Sequence, residues 1–138
     1  MSQTTVTFFD NTFEEALALT REARDYLTHG EPHERQRLTP NDRMLASCEA
    51  MRLTSRLTQV MAWLLVQKAV HAGEMTREEA KAPEFRLAGQ SVCEETTPPL
   101  EGNLQPRLAE LLERSHSLYL RVARLDALQD GPQRQAGP

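Results

Sequence analysis

From Asn41 to Ala72 the chain contains neither glycine nor proline, and this uninterrupted stretch constrains the fold more than any other feature. Thr39 is a good N-cap, Pro40 suits the first helical position, and Asp42 sits where the positive end of a helix dipole favours a carboxylate. The spacing predicts one helix from Pro40 to about Ala72, which at 1.5 Å per residue spans roughly 50 Å. Leu45, Cys48, Met51, Leu53, Leu57, Val60, Met61, Leu64 and Leu65 form a broad apolar stripe along it, and Val60-Met-Ala-Trp-Leu-Leu-Val66 is apolar on nearly every side. A helix apolar all round must be buried all round. A chain of 138 residues has room for one domain with a real core, so the helix must sit at its centre.

Two shorter helices flank it. Thr12 with Glu15 three residues on reads as a capping box, and Phe13, Ala16, Leu17, Thr20, Ala23 and Leu27 then keep helical spacing to about His29, where Gly30 offers a left-handed stop. Glu31 to Arg37 reads as a polar linker. A third helix, capped by Asn103 and running from 104 to about 128, carries the seam Leu104, Leu108, Leu111, Ser115, Leu118, Val122, Leu125 in alternating steps of four and three. Between helices two and three, Thr76 to Glu79 repeats the capping-box pattern. The segment 83–103, with Gly89, Pro98, Pro99 and Gly102, reads as a long mobile or functional loop. Residues 129–138 have almost nothing to bury and read as a disordered tail. The expected fold class is therefore all-α: a three-helix bundle with one long central helix over residues 1–128, paired as a homodimer because that helix offers more apolar surface than its neighbours can cover.

Chemistry is sparse. The net charge of −4 argues against a general electrostatic footprint for nucleic acid or anionic membrane. Cys48 and Cys93 are too few and too far apart for a disulfide framework or a zinc site. They fit a reducing, cytoplasmic setting. The amino terminus lacks a basic then apolar leader pattern, and Val60 to Val66 is far shorter than a membrane span. The scattered glycines form no phosphate-binding loop. His29, Glu31, His33 and Glu34 lack metal-site spacing and read as solvated. Ser115-His116-Ser117 points in different directions on a helix, which does not build a nucleophile and base. No catalytic residue, metal or cofactor is expected.

Two groups of residues carry the binding hypotheses. Met51, Met61, Trp63, Leu64 and Leu65 are the candidate dimer or packing surface, since a Trp on an over-long helix fits either core or interface. Arg107, Arg114 and Arg121, spaced by sevens beside the seam, either pair with acids on a packed neighbour or form a docking stripe for an acidic partner. A DNA-associated regulator using Arg52 and Arg56, or this row, on phosphates is the alternative function.

The stretch Glu49-Ala-Met-Arg-Leu-Thr-Ser-Arg-Leu-Thr-Gln-Val-Met-Ala-Trp-Leu-Leu-Val-Gln-Lys-Ala-Val-His-Ala-Gly-Glu-Met-Thr76 resembles the central segment of a small alphaproteobacterial family that includes the regulator of CtrA degradation. The likeness continues more loosely over Leu111 to Leu128. The resemblance implies a dimeric three-helix bundle without cofactor or catalysis. It implies an adaptor that helps deliver cell-cycle substrates, the response regulator CtrA among them, to the ClpXP protease.

Overall fold

The computed structural model describes residues 3–130, and every regular element among them is helical. Three long helices dominate: α1 (Gln3–Asp25), α3 (Pro40–His71) and α6 (Pro106–Leu128). Short helical segments lie between them: α2 (Glu31–Arg35), a 3-10 turn (Pro83–Phe85) and α5 (Gln90–Cys93) in stretches expected to be linker or loop, and α4 (Arg77–Ala80) at the expected capping box. A plain three-helix bundle is thus too simple a description.

The central helix starts as its sequence dictates. Thr39 Oγ1 accepts the Asp42 N–H at 3.1 Å, and Pro40 occupies the first turn. α1 runs antiparallel to α3, with Phe9 against the rings of Trp63 and His71 at 5.9 and 5.1 Å. It is also antiparallel to α6, where Glu15 meets Arg121 and Glu22 meets Arg107. α3 and α6 must therefore run parallel, and the connection 73–105 has to return along the length of the bundle. Its length is a topological requirement. The core lies where the three long helices meet, around Leu19, Leu53, Leu57, Val60, Leu64, Leu108, Leu111, Leu118 and Val122, and the connection adds Leu87 and Cys93 to it.

Several expected boundaries are corrected. Thr12 is not a cap: its Oγ1 donates to the Phe8 carbonyl at 3.0 Å inside a helix that begins at Gln3. Gly30 does not stop that helix either, because its φ is −72°. Residues 26–30 instead wind as a wide π turn that leads into α2. The cause lies at Pro32, whose ring would clash with the carbonyl four residues back in a regular α-helix. Gly30 is needed for space, since a Cβ there would stand 3.0 Å from the Tyr26 ring. The expected polar linker is folded down: Tyr26 Oη donates to Glu34 at 2.7 Å, and Glu31 is buried beside Arg35. Asn103 is not the cap of the last helix, which starts at Pro106. Its N–H donates to Asp42 across the chain at 3.2 Å. The capping box at Thr76 and Glu79 is present as read. Of the expected tail, Gln129 and Asp130 form a turn after α6, and 131–138 lie outside the described residues. No described helix is long and apolar enough to cross a membrane.

Candidate protein-interaction surfaces

The expected dimer surface divides by burial. Trp63 and Leu64 are 2% and 1% exposed and belong to the core of the single chain. Trp63 packs its apolar ring into the core, and its indole N–H, which needs a partner once buried, donates to Asp126 Oδ1 of α6 at 2.9 Å. Met61 packs partly buried against the core. Met51 and Leu65 remain in solvent, 70% and 53% exposed. The five residues therefore do not make one surface. The large apolar side chains that α3 turns outward are Met44, Met51 and Leu65.

The arginine row faces α1. Arg114 binds both oxygens of Glu22 at 2.9 and 2.7 Å, and Arg107 reaches the same carboxylate at 2.9 Å. Arg121 pairs with Glu15, and Glu110 joins Arg107 and Arg114. Hydrogen bonds from Arg114 and Arg107 push the Glu22 carboxyl down to about 2, and Arg121 lowers Glu15 in the same way. Of the two readings of this row, the geometry favours pairing within the chain. Between the helices lies a shallow open groove lined by Glu15, Leu19, Glu113, Arg114, Ser117 and Arg121.

Two arginines that the sequence reading did not place structurally fix the return connection. Arg56 is 2% exposed. Its Nε donates to the Cys93 carbonyl, Nη2 to the Glu95 carbonyl and Nη1 to the Leu112 carbonyl, each at 2.8 Å, and Nη1 also reaches Ser115 Oγ at 3.3 Å. Burial, and then the nearby charge of Arg52, lower its affinity for the proton, yet guanidinium stays charged in proteins. Neutral carbonyl dipoles solvate that charge. Arg52 bonds to Glu49 at 3.0 and 3.1 Å. Buried Arg56 therefore cannot reach a phosphate, which removes one leg of the DNA-binding alternative. Arg86 in turn binds Asp126 at 2.9 Å and Asp130 at 3.0 Å, and these hydrogen bonds raise its pKa. Tyr119 Oη donates to the Ala88 carbonyl at 2.7 Å. The expected mobile loop is thus anchored from 86 to 95.

The residues weighed for chemistry are engaged separately. Ser115 Oγ donates to the Leu112 carbonyl, whereas His116 Nε2 lies 2.9 Å from the Glu94 carbonyl, so they do not form a nucleophile–base pair. Among the described residues no group of three or more His, Cys, Asp or Glu side chains is placed to hold a metal ion. Burial raises the Cys93 thiol above its ordinary pKa, which keeps it in the unreactive form.

The exposed apolar side chains of α3, the ion-paired rim of α1 and α6, and the pinned connection are the surface features that stand out among the described residues. The model of a family described as "Protein of unknown function (DUF1465)" matches residues 1–137. The chain belongs to this family. Its structure is also similar to the crystal structure of RcdA from Caulobacter crescentus CB15. Sequence identity is 40%, the TM-score is 0.72, and the match covers 88% of this chain and 89% of RcdA. RcdA is a regulator of CtrA degradation, so the likeness read from Glu49 to Thr76 points to the same relatives. No curated protein matches the chain.

Proposed function

We propose that this DUF1465 protein is a non-catalytic helical adaptor, working as a homodimer in the cytoplasm. In this reading it helps deliver cell-cycle regulator substrates, a response regulator of the CtrA kind among them, to the ClpXP protease. The observation that carries the reading is the 40% identity with RcdA over 88% of this chain. The architecture supports it. The buried and half-buried polar interactions at Arg56, Arg86 and Trp63 hold the chain's own segments together, while the outward face of α3 offers apolar surface, as a binding scaffold requires.

The test is a degradation assay with purified ClpXP and a CtrA-type response regulator, with and without this protein, alongside the substrate's half-life in cells lacking it. A shorter half-life in its presence is the expected result. An unchanged half-life in both settings sinks the adaptor reading.

A further inference from the structure

Ten residues in succession, 94–103, are exposed, the longest such run among those described. They are nevertheless firmly held, and by their backbone. Arg56 binds the Cys93 and Glu95 carbonyls at 2.8 Å, and His116 Nε2 lies 2.9 Å from the Glu94 carbonyl. Arg52 Nη1 reaches the Thr97 carbonyl at 3.4 Å, and Asn41 Nδ2 donates to that of Glu101 at 2.7 Å. Asp42 Oδ1 accepts the Asn103 N–H at 3.2 Å. Side chains of α3 and α6 thus grip the run from beneath while its own side chains stay in solvent.

A segment is ordinarily fixed by burying its side chains. The return from α3 to α6 requires length but no fixed path, and a slack loop of this size adds little chain-entropy cost. Fixing the path from beneath does something else: it presents the side chains in one arrangement, with the entropy of ordering them already lost. Pro98-Pro99-Leu100 stands at the centre, between the anchored Thr97 and Glu101 carbonyls. Thr97 and Pro98 each precede a proline, which disfavours the α region, and a proline ring sets φ at about −65°. Pro98 is therefore held in the polyproline II form. Leu100, next in line, is a large apolar side chain left 37% exposed. The run carries Glu94, Glu95 and Glu101 and no Lys or Arg. Glu95 uses its carboxylate on the N–H groups of Thr96 and Thr97 at 2.9 and 2.8 Å, which leaves Glu94 and Glu101 outward on either side of the prolines.

We infer that Pro98-Pro99-Leu100, flanked by Glu94 and Glu101, is a docking segment for a second protein whose groove is walled by aromatic rings and rimmed by Lys or Arg. Proline rings in this extended form offer flat apolar surface that aromatic walls accept. The unbalanced glutamates select a basic rim, and the same charge repels nucleic acid and anionic membrane. The inference goes beyond the adaptor reading and does not depend on it.

The test replaces Leu100 with the photo-cross-linker p-benzoylphenylalanine in the full-length protein, in its own cells, and identifies the linked residues by mass spectrometry. The same group at Arg124, exposed on α6 about two turns beyond His116, is the control. The expected result is a partner linked from position 100 and not from 124, at a site with an aromatic side chain beside Lys or Arg. Adding Pro98→Ser and Pro99→Ser should lower the yield roughly tenfold, through the lost rings and the freedom that serine regains. Adding Glu94→Gln and Glu101→Gln should lower it about threefold. All four positions are exposed, so circular dichroism should be unchanged. No partner specific to position 100, a linked site without an aromatic side chain, a link to a second copy of this chain, or full yield from the serine variant would each overturn the inference. Failure of the adaptor reading is separable. A position-100 partner of the stated chemistry with substrate half-life unchanged keeps the docking segment and removes the adaptor, and a shortened half-life without that link does the reverse.

Discussion

Arg56 and the row Arg107, Arg114, Arg121 use the same side chain in opposite ways. The row lies at the rim of α1 and α6, each side chain about 40% exposed, matched by carboxylates that are themselves in water. Arg56 is shut inside and meets carbonyl oxygens instead of carboxylates. Exposed ion pairs gain little, because water and salt screen them and long side chains lose freedom in holding one geometry. A buried guanidinium with its donors satisfied is different: removing it takes the donor from the carbonyl of buried Cys93 and unties the return connection from α3 and α6. The number of charges in a region is thus a poor guide to its energetic weight.

Replacing Arg56 is the hardest strain on that contrast. Arg56→Met should cost about 3–5 kcal/mol, the range for a broken buried polar network, read as a lower denaturant midpoint. Arg56→Lys should recover only part, since a point-like ammonium cannot span carbonyls on three sides as a planar fork does. Arg86→Met is intermediate. It leaves Asp126 to Trp63 alone and frees the Asp130 contact, for an expected loss of about 1–3 kcal/mol. Faster amide exchange at Leu87 and Ala88 should accompany it. Arg114→Ala should fall below about 1 kcal/mol and approach zero in 1 M salt, where the screening length shrinks to about 3 Å. If Arg114→Ala proves as costly as Arg56→Met, the contrast is wrong.

Acid offers the finest resolution. Glu22 has its carboxyl pKa depressed from 4.5 to about 2 in the folded chain. Its contribution is therefore present above pH 4.5 and is lost as the pH falls from there toward 2. The small stability difference between wild type and Glu22→Gln should be visible at neutral pH and should vanish near pH 2. A difference that persists undiminished in acid would mean that the carboxylate charge is not what ties α1 to α6.

Sequence patterning was enough for what local chemistry decides. Thr39, Pro40 and Asp42 announced the start of α3, Thr76 and Glu79 announced α4, and the steps of four and three through Leu108, Leu111, Leu118 and Val122 marked the buried face of α6. What failed was decided by tertiary packing. Thr12 and Glu15 imitate a helix start, but Phe9 upstream gains a place against Trp63 and His71, and that contact carries the helix back to Gln3. The segment 83–103 looked unstructured because its anchors, Arg56, Tyr119 and Asp126, lie far away in sequence. One signal was present. Arg56 falls three residues after Leu53 and four before Val60, on the buried stripe of α3, where a charge must either find partners inside or disrupt the helix's packing. Trp63 was read as core or interface, and its inward side became clear only with Asp126 in place. The Arg row could not be assigned from spacing alone, because its matching acids, Glu15 and Glu22, sit on another helix.

The bonds of Arg56 span 37, 39 and 56 residues of chain, while the helices it joins form from contacts a few residues apart. Loop-closure entropy predicts that such a latch closes late, after α3 and α6 have docked and the return connection has been laid over them. Interactions absent from the folding transition state govern how fast a protein comes apart far more than how fast it assembles. In a stopped-flow experiment Arg56→Met should therefore accelerate unfolding by orders of magnitude and leave refolding nearly unchanged. The residue would then set how long this protein persists once folded, a relevant property for a molecule proposed to work beside a protease.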